Sequence, residues 1–352
     1  MLYYNPIERN TCFMTLKEIA ALSGVSVSTV SRIINSPDDS FARREVRERV
    51  WEIIKTTGYT PNINARQLKC GKKTTSQSGA IVTILGRSKL LDENPFFAHL
   101  SRSIEQHAMN NGYPVRFSYS AFDIDKDNII EKSQSLNIEG AIVIGRLNSK
   151  IINFLEKQYI NIVYTGRNEI SAGWDQIICD GYEATHIAMN YLVSCGHRKI
   201  AYIGEIADEV RYKAYIDFIR NNNLPFEPSY ICSCPQNSAG GRHGADILAR
   251  SSAGLPTAVF CSADISAIAA IKHFKERGIK VPEQISVISL DNIEMAGYVS
   301  PMLTTVGMPI VEMGQIAVQT LIDRIQKRHK LPMKIFLPNK LTIRESVYEY
   351  SK

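Results

Sequence analysis

Apolar positions along the chain change their period near residue 79. Before it they recur at helical spacing: Leu16, Ile19, Ala20 and Leu22, then Val30, Ile33 and Ile34, then Val46, Val50, Ile53 and Ile54. This predicts three short amphipathic helices. Thr15 followed by Glu18 forms a capping box, Gly24 permits the backbone angles that end the first helix, and Ser26 caps the second. After residue 79, strand-length apolar runs alternate with helical stretches. The runs are 79–85, 115–119, 141–144 and 160–165, then 199–203, 230–232, 258–261 and 285–290. Such alternation predicts a parallel sheet with helices on both faces. Two sets predict two similar doubly wound lobes, with a ligand in the cleft at the strands' carboxyl ends.

The outer face of the second predicted helix carries Val27, Ser28, Ser31 and Arg32. Small or hydrogen-bonding side chains with one arginine suit a helix lying against base edges in a major groove. A plain helical hairpin would show the same apolar stripe, so the charge distribution bears on the choice. Residues 1–76 hold 12 Lys and Arg against 7 Asp and Glu, and the rest of the chain holds 29 against 28, for a net charge of +6. A positive excess confined to a small N-terminal module is the footprint of a nucleic-acid binder. Arg43, Arg44, Arg47 and Arg49 give the third helix a cationic face that can reach phosphates or pair with Glu45, Glu48 and Glu52.

Composition limits the remaining classes. At 352 residues, 44% hydrophobic and 22% charged, the chain is expected to be a soluble protein of two or three domains. It shows no membrane-length apolar run and no signal-peptide pattern, so no membrane partner and a cytoplasmic location are expected. Its seven scattered cysteines read as reduced thiols. The histidines lack paired metal spacing, and there is no P-loop, no Rossmann glycine fingerprint after a strand and no nucleophile elbow. The expectation is a non-enzyme with no metal and no cofactor. Gly240-Gly241-Arg242-His243-Gly244 lacks the lysine ending of a phosphate loop and reads as a loop and helix start, and His197 reads as structural.

Residues 15–20 and 24–35, continuing through 58–62 and 64–68, resemble the helix-turn-helix and hinge of the lactose-repressor/galactose-repressor family of bacterial transcription regulators. Asn94-Pro95-Phe96-Phe97, 195–200, Pro256-Thr257-Ala258, 301–306 and Arg344-Glu345-Ser346 resemble its sensor, which is similar to periplasmic sugar-binding proteins. The resemblance implies a small all-α helix-turn-helix head at 14–60, a hinge helix and linker at 61–78 and an α/β sensor at 79–352. Lobe 1 would span about 79–178 plus 308–337, and lobe 2 about 179–307 plus 338–352. Residues 1–13 read as a disordered leader, or as upstream of a translation start at Met14.

By the same resemblance, DNA contacts fall at Thr15, Ser26, Val27, Ser28, Thr29, Ser31, Arg32 and Asn35. The hinge adds Asn62, Ala65, Arg66 and Leu68, with Leu68 as an apolar wedge that kinks the duplex. Phe96 and Phe97 lie where the family's first loop meets ligand, and Arg211 and Asp291 align with its ligand-binding arginine and aspartate. Arg167 and Asp264 are weaker candidates, since Arg167 can serve the lobe interface and Asp264 can cap a helix. An aromatic plane with arginine and carboxylate partners suits an uncharged polyol. The chain departs from the family at Gly166, where an Asp is common, at Ala263, where an Asn is common, and at Ala214, where a Gly is usual. No leucine heptads follow the last strand, so a homodimer is expected rather than a tetramer.

The expected function is a repressor of sugar-uptake or sugar-metabolism genes, released from a palindromic operator by a small sugar effector. A purine or other metabolite is the alternative effector. A sugar-binding transport or chemoreceptor protein is the alternative class, and the basic head and missing signal peptide speak against it.

Overall fold

The structure is a computed structural model that describes residues 16–35, 42–57, 79–86, 95–122 and 136–350. The chain divides into two compact units, Met1–Gln77 and Ser78–Lys352. The leader, Met14, the capping box at Thr15 and the hinge positions Asn62, Ala65, Arg66 and Leu68 lie outside the described residues, as does the side chain of Asn35.

The first unit contains α1 (Leu16–Ser23), α2 (Val27–Asn35) and α3 (Arg44–Thr57). Gly24, at φ +67°, ends α1, and Val25 N–H donates back to the Ala20 carbonyl at 3.1 Å. Ser26 Oγ accepts from Thr29 N–H at 3.1 Å and caps α2. Ile19, Ala20, Val30, Ile33 and Val50 form a small core. Leu22 does not belong to it, for it is 58% exposed. The position one turn after Ile19 is Ser23, which is buried because its hydroxyl donates to the Ile19 carbonyl at 2.6 Å.

The second unit holds two six-stranded sheets. The first contains β1 (Ala80–Leu85), β2 (Val115–Ser120), β3 (Ile138–Ile144), β4 (Ile162–Gly166), β5 (Asp175–Ile178) and β11 (Lys334–Phe336), in the order β11-β5-β4-β3-β1-β2. The second contains β6 (Ile200–Gly204), β7 (Ile231–Ser233), β8 (Ala258–Cys261), β9 (Ser286–Asp291), β10 (Thr304–Gly307) and β12 (Lys340–Thr342), in the order β12-β10-β9-β8-β6-β7. Every pairing is parallel except β10 with β12.

Both faces of each sheet are covered, which is why the strands read as unbroken apolar runs rather than alternating ones. In β1, Ile81 and Leu85 face the helices α4 (Pro95–Asn110) and α10 (Ile310–Ile325). Val82 and Ile84 face the opposite layer, which includes Leu155 of α5 (Ser149–Gln158). In β6, Ala201 and Ile203 meet α8 (Ser238–Ala249) and α9 (Asp264–Glu276), and Ile200 and Tyr202 meet α6 (Gly181–Ser194) and α7 (Val210–Asn221). The glycine-rich segment at 240–244 lies in α8, where a Cβ at Gly241 would run into the backbone of Ser266 on α9. Those glycines serve close helix packing. His197 is buried, with Nε2 3.0 Å from the Tyr348 carbonyl. The chain passes between lobes after β5, after β10 and again between β11 and β12. The reversal of strand order beside β1 and beside β6 opens loops at the carboxyl ends of both sheets, and these loops carry the polar residues described next.

Candidate functional site

On the head, Ser28 and Arg32 are exposed on α2, and Thr29 and Ser31 are half-buried. Ser26 Oγ lies 2.7 Å from Ser28 Oγ and 2.8 Å from Thr29 Oγ1, so the start of α2 is a local hydroxyl network. Val27 packs partly against the small core. On α3, Arg49 donates to the Ser23 carbonyl at 3.3 Å, and Arg44 pairs with Glu48 at 2.9 Å.

In the sensor, loops from both lobes converge on one cleft. Lobe 1 supplies Phe96 and Phe97 after β1, Arg146 after β3, and Tyr164, Thr165 and Arg167 at the end of β4. Lobe 2 supplies Glu209 and Arg211 at the start of α7, and Gln236 after β7. Asp291, the last residue of β9, reaches the cleft through an ion pair with Arg167. Phe96 and Phe97 meet edge to face at 5.2 Å, and the Arg167 guanidinium sits 4.9 Å from the centre of the Phe96 ring.

Glu209 organises the lobe 2 wall. Its side chain caps α7 by accepting from Arg211 N–H at 3.1 Å. It also takes both Nε and Nη2 of Arg211 at 2.7 Å, a bidentate pair. Arg211 Nη1 donates to the Ser262 carbonyl at 2.6 Å, and Gln236 Nε2 donates to Glu209 at 2.9 Å. Arg146 crosses from lobe 1 to pair with Glu209 and donates to the Asp208 carbonyl at 3.0 Å. Burial works to raise the Glu209 pKa, but Arg211 and Arg146 outweigh it and hold the carboxylate well below its usual range. Burial lowers the Arg167 pKa, and Asp291 opposes that shift.

The structure therefore brings Phe96, Phe97, Arg167, Arg211 and Asp291 together, and it places Asp264 behind the wall. Asp264 accepts from Ser289 and Thr305 hydroxyls at 2.6 Å each and from Ile293 N–H at 2.8 Å, all within lobe 2. Burial and the neighbouring Asp291 push its pKa up to about 7. Sequence reasoning passed over Arg146, Tyr164, Glu209 and Gln236. Arg146 carried a usable signal, since it stands just past the apolar run 141–144. The space enclosed by these side chains is about 40 Å³, enough for water but well short of a sugar ring. The ion pairs across the cleft must part to admit a ligand of that size.

The profile described as "Bacterial regulatory proteins, lacI family" matches residues 15–62, and that described as "Periplasmic binding protein-like domain" matches residues 189–347. The chain is 34% identical over 326 residues to the HTH-type transcriptional repressor PurR of Aliivibrio fischeri, a match covering 89% of this chain and 92% of the relative. It is 30% identical over 342 residues to the ribose operon repressor of Haemophilus influenzae, covering 95% and 98%. Its fold is similar to that of the lac repressor dimer bound to operator and the anti-inducer ONPF, with a TM-score of 0.67 and 22% identity over 96% of this chain and 99% of that one.

Proposed function

We propose, for a chain that belongs to the lacI family of bacterial regulatory proteins, that the sensor cleft takes a small sugar and that sugar binding releases a homodimer from a palindromic operator. The chain is a DNA-binding transcriptional repressor and not an enzyme. One observation carries the sugar reading. Guanidinium groups and carboxylates face each other across the cleft beside an aromatic corner. A sugar hydroxyl accepts from the first and donates to the second, while a C–H face rests on a phenylalanine ring.

The mechanism is linkage. An effector that prefers one arrangement of the lobes shifts the equilibrium between arrangements, and only one of them supports operator binding. The 34% identity to a PurR repressor favours a nucleobase as the second reading. A thermal-shift panel of pentoses, hexoses and purine bases separates the two, because a ligand of the native state raises Tm. We expect a sugar to raise Tm and to weaken binding to operator DNA. A shift with a purine base and none with any sugar overturns the sugar reading.

A further inference from the structure

Tyr164 lies near the carboxyl end of β4, and its ring belongs to the buried layer with Val82, Val143 and Leu155. Its hydroxyl is buried and has no hydrogen-bond partner, and the same holds for Thr165 Oγ1 and Arg167 Nη1 along the same strand end. All three residues line the cleft. A buried hydroxyl without a partner is costly, and phenylalanine would fill the same layer without that cost. Gly166 shows where the hydroxyl goes. A Cβ at Gly166 would overlap Tyr164 Oη, so the hydroxyl takes the space a side chain at 166 would need. Among the described residues, the lobe 1 wall of the cleft holds no carboxylate, and the acidic partners come from lobe 2.

We propose that Tyr164 is a specificity-determining effector contact: its hydroxyl donates to an acceptor oxygen of the bound sugar, Gly166 makes room for it, and Thr165 Oγ1 and Arg167 Nη1 are further unpartnered donors in the cleft wall. The proposal rests on the sugar reading of the cleft and deepens it. The sugar presents an accepting oxygen to lobe 1 and donating hydroxyls to the carboxylates of lobe 2. Burial raises the Tyr164 pKa, with Arg146 opposing, so the phenol keeps the proton it donates.

Tyr164→Phe deletes one oxygen and keeps the ring. In ligand-free protein its Tm should equal or exceed that of the wild type, because no protein group loses a partner. A lower Tm means that the hydroxyl has a structural partner, and it overturns the proposal. D-ribose, D-xylose and D-glucose are the probes for the second arm. Whichever raises the wild-type Tm should bind Tyr164→Phe about tenfold more weakly by calorimetry. Equal affinity overturns the proposal. Failure of the sugar reading is visible in the wild type alone, as no shift with any of these sugars, and it removes the proposal too. Failure of the proposal alone is visible only in the variant.

Discussion

Asp264 and Asp291 sit at neighbouring strand ends with the same side chain and different roles. Asp291 meets a guanidinium from the other lobe, and its backbone is held at φ +127°, a region L-residues avoid. Asp264 meets only hydroxyls and a backbone N–H, whose hydrogen bonds do not outweigh its burial and the neighbouring Asp291 carboxylate, so it takes up a proton near neutrality. Its folded pKa of about 7 stands above the ordinary 3.8. The native state therefore binds the proton more tightly than the unfolded chain, and this group's stabilisation is complete below about pH 4 and lost as pH rises to about 7. Asp264→Asn keeps an acceptor for Ile293 N–H and cannot ionise. It should flatten the fall in stability across that window by something on the order of a few kcal/mol, read from chemical denaturation of both proteins at each pH. His197, whose pKa burial lowers, works in the opposite sense but is common to both proteins. Parallel curves would show that Asp264 is ionised throughout. At this scale the sequence marked Arg211 and Asp291, because each stands in a motif with family precedent. It could not reveal that Glu209 binds Arg211 on two oxygens, since any acid near a helix start reads first as a cap.

Among elements, the long apolar strands β1, β3 and β9 were legible because both their faces are buried. β5 was not, because it opens on Asp175 and Gln176. Its burial is balanced from far along the chain. Asp175 accepts from Arg324 at 2.8 Å, from His329 at 2.9 Å and from Met333 N–H at 2.7 Å, which ties β5 to α10 and to the approach to β11. β10, β11 and β12 are as short as β8 but open on Thr or Lys where β8 is an unbroken apolar run, so they gave no strand signal. Asp175→Ala would leave Arg324 and Met333 N–H unpaired and should cost about 3–5 kcal/mol, measured by urea unfolding. A cost below about 1 kcal/mol would mean that water replaces the carboxylate. On α2 the exposed cation among the described residues is Arg32. If it reads a base edge, Arg32→Ala should cost about 1–3 kcal/mol on the operator and much less on random duplex, in titrations at fixed salt. Equal losses on both would make it a phosphate contact.

For the molecule as a whole, the two units have separate cores, so a substitution in one leaves the packing of the other intact. Lobe 1 and lobe 2 are joined across the cleft by Arg167 with Asp291 and by Arg146 with Glu209. On the proposed reading, a sugar entering a space of about 40 Å³ would replace some of these contacts with its own hydroxyls. The free energy of that exchange would then couple the cleft to the operator. Asp291→Asn keeps the volume and removes the charge, so it weakens the exchange without opening a cavity. The ligand-free variant should still bind the operator, because the head and its core are untouched. The sugar that stabilises the wild type should no longer release the variant from DNA, and it should raise the variant's Tm far less. Coupling is reciprocal, so in the wild type the factor by which the sugar weakens operator binding should equal the factor by which operator weakens sugar binding. Fluorescence anisotropy on a labelled operator, with and without sugar, reads both. Release of Asp291→Asn at the wild-type sugar concentration would place the effector contacts elsewhere in the sensor.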